Sequence, residues 1–333
     1  MISIIIPLYN KAHTIINTLN SVLQQVYKDF EVIVINDGST DGSTDVIKQN
    51  FIDPRIKIID QNNKGVSEAR NRGVDEASNE HIAFLDGDDE WHPEYLLIMV
   101  DIINKNPGCG MFLCAGIIQG NDNTITYRIA QGYENYCGEI NLFQNPAVFS
   151  HTSATIIKKS IFNKTHRFMP GMCKFEDYLL SQTIALIAPV YYCGIPLTKY
   201  NGDVQGQLTQ RNKHDLNATK SMLLYYNMII ANSLAVNRHG NKFLNIYLRY
   251  DLFHTFKQML KKRHKQSFIS FLQNLSPQTK SLFAKNELAL MTHCPRISVF
   301  YINLTKIFWR MHRFPVIGGK LDLRKIESKY LNW

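Results

Sequence analysis

The acidic run Asp86-Gly87-Asp88-Asp89 directly follows an apolar stretch, His81 to Leu85. An Asp-x-Asp pair at a strand end suits a divalent cation. Mg²⁺ and Mn²⁺ take oxygen ligands and bind through one or two carboxylates together with substrate phosphates. The same carboxylates also suit the start of the next helix, predicted over 93–105, where negative charge favours the N-terminus. Further along the chain, Tyr9 offers a flat ring for stacking. Asp37 offers a hydrogen-bond acceptor, although an Asp beside Gly38 is also a common turn former. Lys11, Lys64 and Arg70 are cations that could face phosphate, Arg through its planar fork and Lys as a point charge. Arg70 has Glu68 and Arg72 nearby on its predicted helix, and neither sits at the spacing that would pair with it.

The elements that must position these residues alternate strand and helix signals over about 1–105. Ile2 to Ile6 is an apolar run ending at Pro7, and Ile15, Leu19, Val22 and Val26 follow at helical spacing. Glu31 to Ile35 is β-branched and stops at Asn36-Asp37-Gly38-Ser39. Thr44 is placed to cap a short helix, Asp45 to Gln49. Ile56 to Ile59 reads as a third strand, Ser67 to Ala77 as a helix, and His81 to Leu85 as the fourth strand. This alternation predicts an α/β fold with a mostly parallel sheet flanked by helices. In such sheets ligands bind outside the carboxyl ends of the strands. Tyr9, Asp37, Asn63 and Asp86 all follow predicted strand ends, so they converge on one edge. Beyond residue 108, Gly110 to Ala115 and Thr124 to Ile129 predict a hairpin that closes the sheet. His151, in a loop, is left without a role. The Gly- and Gln-rich segment 202–211 reads equally as a lid or a linker.

No Gly-x-Gly-x-x-Gly follows the first strand and no Walker-type phosphate loop is present, which excludes the commonest dinucleotide and ATPase folds. A ring, a carboxylate, several cations and a metal-capable acidic pair suit instead a nucleotide whose diphosphate is bridged by a metal. Four blocks make this specific: Ser3 to Lys11, Val34 to Ser43, Asn63 to Gly73 and Phe84 to Asp89. In order and spacing they resemble the signature blocks of family 2 glycosyltransferases. Phe175-Glu176-Asp177-Tyr178 resembles the family's later Glu-Asp motif, and Pro196-Leu197-Thr198-Lys199-Tyr200 the segment after it. The resemblance extends to about residue 210. It implies a nucleotide-sugar-binding GT-A fold, an inverting mechanism, and Mn²⁺ or Mg²⁺ as cofactor.

The resemblance also implies roles. Pro7, Tyr9, Lys11, Asp37, Lys64, Arg70 and Asp86 would bind the nucleotide-sugar, with Asp37 accepting from the imide N–H of uracil. Asp88 would ligate the metal, with Asp86 near the ribose and metal; Asp89 is read as the cap of the next helix. An inverting transfer needs a base that deprotonates the acceptor hydroxyl. The resemblance favours Asp177, with Glu176 orienting the acceptor or the loop. The alternative is a simple acidic first turn of a helix over 178–186.

Charge divides the chain. Residues 1–210 carry 16 Lys and Arg against 23 Asp and Glu, whereas residues 211–333 carry 21 against 5. Three parts are expected: a nucleotide-sugar-binding half over 1–105, an acceptor-binding half over 106–210, and a basic, mainly helical extension over 211–333. A basic extension implies an anionic partner. Nucleic acid is not expected, because no nucleic-acid motif accompanies it. Lys261-Lys262-Arg263-His264-Lys265, Val299 to Ile302 and Ile307 to Phe314 mix cations with aromatic or apolar residues. This composition suits an anionic membrane surface. The six cysteines show no Cys-x-x-Cys spacing and no export signal is evident, so the thiols are expected reduced. The expected setting is cytoplasmic, with peripheral contact on the inner face of the membrane. The expected activity is transfer of a single sugar to a glycan or lipid-linked acceptor. A non-catalytic nucleotide-sugar-binding or assembly protein of the same fold, or a sugar nucleotidyltransferase, are the alternatives.

Overall fold

The structure is a computed structural model of residues 1–333. It describes all residues except 121, 123, 146–147, 149–150, 203–215, 237–241, 262–264, 295–296, 299, 302–320 and 332. Of the 202–211 segment only Gly202 is therefore described. Residues 262–264 of the basic cluster 261–265, residues 299 and 302 of the segment 299–302, and the whole aromatic-basic segment 307–314 lie outside the described residues.

The first half alternates β1 (Ile2–Leu8), α1 (Ile15–Leu23), β2 (Phe30–Asp37), α2 (Ser43–Asn50), β3 (Ile56–Gln61), α3 (Val66–Glu76), β4 (His81–Phe84), β5 (Glu90–Trp91) and α4 (Tyr95–Lys105). The second half adds β6 (Met111–Gln119), β7 (Ile125–Arg128), β8 (Cys137–Ile140), β9 (Thr155–Lys158), α5 (Lys159–Phe162), α6 (Glu176–Ile187) and β10 (Val190–Asn201). The sheet order is β3-β2-β1-β4-β9-β6-β10-β5, with β7 on β6 and β8 on β10. β1 to β4 are mutually parallel where they pair, and β6 and β10 are parallel to each other. β9 enters antiparallel between β4 and β6. The fold is thus α/β, with a mostly parallel sheet.

Sequence dictates this locally. β1 and β2 read as near-continuous apolar runs because both faces are covered, as in parallel sheets generally. Pro7 is tolerated in β1 for a geometric reason. Ile5 bonds toward β4, accepting from Leu85 N at 3.0 Å. Pro7, two residues on, faces that same side where pairing with β4 has already ended. Ile15, Leu19 and Val22 bury one face of α1. Val26 does not continue that face: the helix ends at Leu23 and Val26 is exposed. Thr44 is not the cap of α2; Gly42, in the left-handed conformation, occupies that place. α4 begins at Tyr95, later than expected, after Glu94.

Two apolar cores result. The first surrounds the sheet and includes Ile4, Val34, Phe84, Phe112, Leu180 and Ile184. The second is built by α7 (Leu216–Ala235), α8 (Lys242–Lys261), α9 (Lys265–Asn274) and α11 (Lys285–His293), with α10 (Pro277–Lys280) lying against α7. It also takes Leu179 and Leu186 from α6, so that helix belongs to both cores. Beyond it, Ile326 and Tyr330 return to the first core. Tyr330 Oη donates to Glu94 Oε2 at 2.7 Å, and Lys329 Nζ pairs with the same oxygen at 2.9 Å. His92 packs against the rings of Tyr330 and Trp333. No helix among the described residues is long and apolar enough to cross a membrane.

Candidate active site

The carboxyl ends of β1, β2, β3 and β4 form one rim. Tyr9, directly after β1, is 49% exposed. Asp37 closes β2 and is buried. Its Oδ1 accepts from Gln61 Nε2 and Lys64 N, each at 2.8 Å, and its Oδ2 accepts from Gly65 N at 2.8 Å. Asp37 therefore folds the 61–65 turn, and three of about four acceptor positions on its carboxylate are filled. Lys64 is exposed on that turn. Lys11 Nζ pairs with Asp88 Oδ2 at 2.6 Å. The hydroxyl of Thr14 donates to Gly87 O at 2.8 Å, which ties the β1–α1 loop to the acidic run.

Arg70 projects from α3 and is only 3% exposed. Its Nη2 pairs with Asp86 Oδ1 at 2.7 Å and its Nη1 with Glu176 Oε1 at 3.2 Å. The partners missing from its own helix are thus supplied by β4's end and by α6. Its Nε is buried without a partner. Burial works against this charge, and Asp86 and Glu176 more than restore it, so the guanidinium is held cationic. Burial likewise opposes ionisation of Asp86, but Arg70, with His151 and Lys11, holds that carboxyl below its ordinary range.

Asp89 corrects an expectation. It does not cap α4, which has Glu94 at its start and no side-chain cap. It is fully buried and faces the site. Ser153 Oγ donates to its Oδ2 at 2.5 Å and accepts from Asp86 N at 3.1 Å. His151 Nε2 lies 3.6 Å from the same Oδ2. Oδ1 of Asp89 is buried with no partner. Burial, then Asp88 and Asp86, push this carboxyl well above its ordinary range. Burial also pushes His151 down, toward the neutral imidazole. Asp86, Asp89 and His151 bring ligand atoms within 4.8 Å of one another, a group able to hold a metal ion. The donor set is the carboxylate and imidazole set that divalent cations use, and the orphaned Asp89 oxygen is a ready acceptor for a cation.

Glu176 and Asp177 open α6. Phe175, just before them, has φ of +69°, unusual for a bulky side chain. That turn sends the two carboxylates different ways. Glu176 reaches Arg70, while Asp177 Oδ1 accepts from Tyr178 N at 2.8 Å. Phe84, Thr152, Phe168 and Ser181 line a small crevice beside Asp177. Burial and then the Glu176 charge push Asp177 up to about 7, against the pull of Arg70.

Four residues join the site that the sequence did not place there: Ser153, His151, Asp89 and Asn201. Asn201 Nδ2 donates to Asp88 O at 2.7 Å. His151 stands in a loop whose sequence gives it no role. Ser153 and Asn201 carry no local signal, since β9 and β10 deliver them by long-range pairing.

Known proteins share the fold and the sequence pattern of the first half of the chain. Residues 1–349 of TarS from S. aureus, solved in complex with UDP-GlcNAc, superpose with a TM-score of 0.72 at 19% identity, covering 96% of this chain and 95% of that one. The shared fold is GT-A. An uncharacterized glycosyltransferase of Nostoc sp. is 36% identical over 174 residues, 51% of this chain and 54% of its own length. The UDP-Glc:alpha-D-GlcNAc-diphosphoundecaprenol beta-1,3-glucosyltransferase WfgD of Escherichia coli is 38% identical over 122 residues, 36% of this chain and 48% of its own. The chain thus spans about half the length of these two relatives. Residues 3–173, half of the chain, match the family model described as glycosyl transferase family 2, and the chain belongs to that family.

Proposed function

We propose that the chain is an inverting glycosyltransferase. It moves a single sugar from a nucleotide-sugar, with UDP as the carrier, to a hydroxyl of a glycan or lipid-linked acceptor. The observation that carries this reading is the Arg70 guanidinium. By pairing with Asp86 and Glu176 it joins the acidic donor end of β4 to the Glu-Asp turn of α6 in one site. The neighbours support the donor class: TarS was solved with UDP-GlcNAc, and WfgD is named for a UDP-Glc donor and a diphosphoundecaprenol-linked acceptor.

On this reading Tyr9 stacks on the base beside Pro7, and the remaining acceptor position of Asp37 takes the base N–H. Lys64 faces the diphosphate, and Lys11 guards Asp88. Asp86, Asp88, Asp89 and His151 would hold the cation. Mn²⁺ or Mg²⁺ bound there supplies Lewis-acid neutralisation of charge on the leaving diphosphate. Asp177 accepts the proton of the acceptor hydroxyl as its oxygen attacks the anomeric carbon; a carboxyl near 7 suits that task at neutral pH. Glu176, held by Arg70, fixes the turn that aims Asp177. The first 105 residues serve the donor, 106–210 the acceptor, and the basic 211–333 an anionic membrane surface on the cytoplasmic side. Retention on anionic vesicles at moderate salt is expected; its absence would remove the membrane part.

The test is UDP release from a panel of UDP-sugars with Mn²⁺, Mg²⁺ or EDTA, for wild type and Asp88→Ala. Slow metal-dependent hydrolysis of one donor, lost in the variant, is expected. Binding of no UDP-sugar, with or without metal, would overturn the reading.

A further inference from the structure

We propose that Cys137 and Cys193 are a redox-active dithiol that closes to a reversible disulfide across the β8–β10 edge of the sheet. This site is separate from the sugar-transfer reading.

The two residues are register partners on antiparallel strands. Gly194 N donates to Tyr136 O at 2.7 Å, so the adjacent pair, 194 with 136, is the hydrogen-bonded one. Cys193 and Cys137 therefore form a non-hydrogen-bonded pair. In such pairs the Cα atoms approach to about 4.5 Å and the side chains are closest. That separation lies inside the range a disulfide spans, about 4.4–6.8 Å between Cα atoms. Both cysteines are free thiols, and their sulfurs are 3.6 Å apart.

The pair is asymmetric in the way an exchange reaction needs. Cys137 is exposed, whereas Cys193 is fully buried. The sulfur–sulfur contact with Cys193 holds Cys137 down at about 7, and the same contact, with burial, pushes Cys193 well up. The reachable sulfur is thus the one that ionises at neutral pH, and the thiolate is the nucleophile. The other thiols lack this arrangement. Cys109 and Cys114 are buried, and burial raises both. Cys173 lies against Ser221 Oγ at 3.5 Å. Cys114 stands in register with Cys193 on β6, but fully inside the core.

The oxidant is a small disulfide such as oxidised glutathione. The Cys137 thiolate attacks one of its sulfurs, the S–S bond breaks, and one small thiolate leaves. Cys193 gives up its proton to solvent and attacks the Cys137 sulfur, which releases the second small thiolate. The net change is protein dithiol plus small disulfide to protein disulfide plus two small thiols. The link fixes β8, a four-residue strand, to β10. The far end of β10 carries Lys199, paired with Glu90 at 2.9 Å, and Asn201, which holds the backbone of Asp88.

The experiment treats the native full chain with oxidised glutathione, traps remaining thiols with N-ethylmaleimide after unfolding, and maps peptides without reduction. A peptide joining 137 to 193, reversed by dithiothreitol, is expected, with neither of these two thiols alkylated; the exposed Cys294 can only carry glutathione. In Cys137→Ser the cross-link disappears and Cys193 alkylates. In Cys193→Ala, Cys137 stops at the mixed disulfide with glutathione. A wild-type protein that stops at that mixed disulfide, links Cys193 to Cys114, or leaves both thiols free would overturn the proposal. The wild type and Cys137→Ser, altered only at an exposed position, decide the matter without the buried variant.

Discussion

Asp177 holds its proton to about pH 7 because burial and Glu176 both disfavour its charge. In the unfolded chain it titrates near its ordinary 3.8. Between those values the folded state carries a proton that the unfolded state has lost. The stability from this group is therefore complete below the unfolded value and lost as pH rises through about 7. Asp177→Asn removes that loss. The variant is expected to melt at a higher temperature than wild type at pH 8, with the gap narrowing toward pH 5. Transfer should fall by about 10²–10⁴ while donor affinity is kept. Calorimetry and UDP release check the two halves, and unaltered turnover would remove Asp177 as the base. Wild-type transfer should rise with pH through about 7. At this scale, the places of Tyr9, Asp37 and Asp86 on one rim were legible because each follows a predicted strand end, whereas Asp177 drew notice only through the resemblance of its Glu-Asp turn. Asp89 was misread because a capping carboxylate and a buried site carboxylate look alike in sequence. Ser153 could not be read at all: its place beside Asp86 and Asp89 depends on β9 crossing from far along the chain.

Helix α3 acts as a strut between two halves of the site. Arg70 spans from it to β4's end and to α6. Breaking a buried pair costs several kcal/mol because the remaining charges stay buried. Lysine keeps the charge but cannot fork to two carboxylates. Arg70→Lys is therefore expected to lose about 1–3 kcal/mol of stability in a urea melt and to slow transfer. Three residues after Arg70, α3 packs tightly on β1 at Gly73. A Cβ on Gly73 would lie 2.3 Å from Ile5 Cγ2, and Ile5 is fully buried. Alanine gains about 1 kcal/mol in helix propensity. Overpacking of a filled core costs about 1–3 kcal/mol. Gly73→Ala should thus destabilise overall, and a variant as stable as wild type would show that β1 and α3 can separate freely. The four parallel strands were legible as apolar runs bounded by turn residues. β5 and β8 were not. One has two residues, the other reads Cys-Gly-Glu-Ile, and both exist because β10 offers an edge to pair with.

The whole chain closes on itself through residues 321–331. Ile326 and Tyr330 enter the first core, and Glu94 holds Lys329 and Tyr330. Replacing Ile326 and Tyr330 together by Ala removes two buried anchors, each worth about 2–5 kcal/mol. Limited proteolysis should then cut this segment at protease levels that spare the wild type; equal resistance would mean the rest of the strap suffices. The charge split between an acidic 1–210 and a basic 211–333 is a matter of composition alone. The return of 321–331 was not legible, since a short stretch with five apolar residues, Leu321, Leu323, Ile326, Tyr330 and Leu331, does not name the surface it covers. Nor did sequence reveal that α6 is shared: Leu180 and Ile184 face the sheet core, while Leu179 and Leu186 face the helical one. Phe175, at the head of that helix, stacks on Tyr225 of α7 at 5.7 Å. A helix embedded in two cores cannot loosen for one of them alone. Anything that steadies its first turn, where Glu176 and Asp177 sit, therefore slows amide hydrogen exchange along α6 and into α7. Occupancy of the carboxylate site is then expected to show as protection in α7, a helix that supplies none of the site's residues.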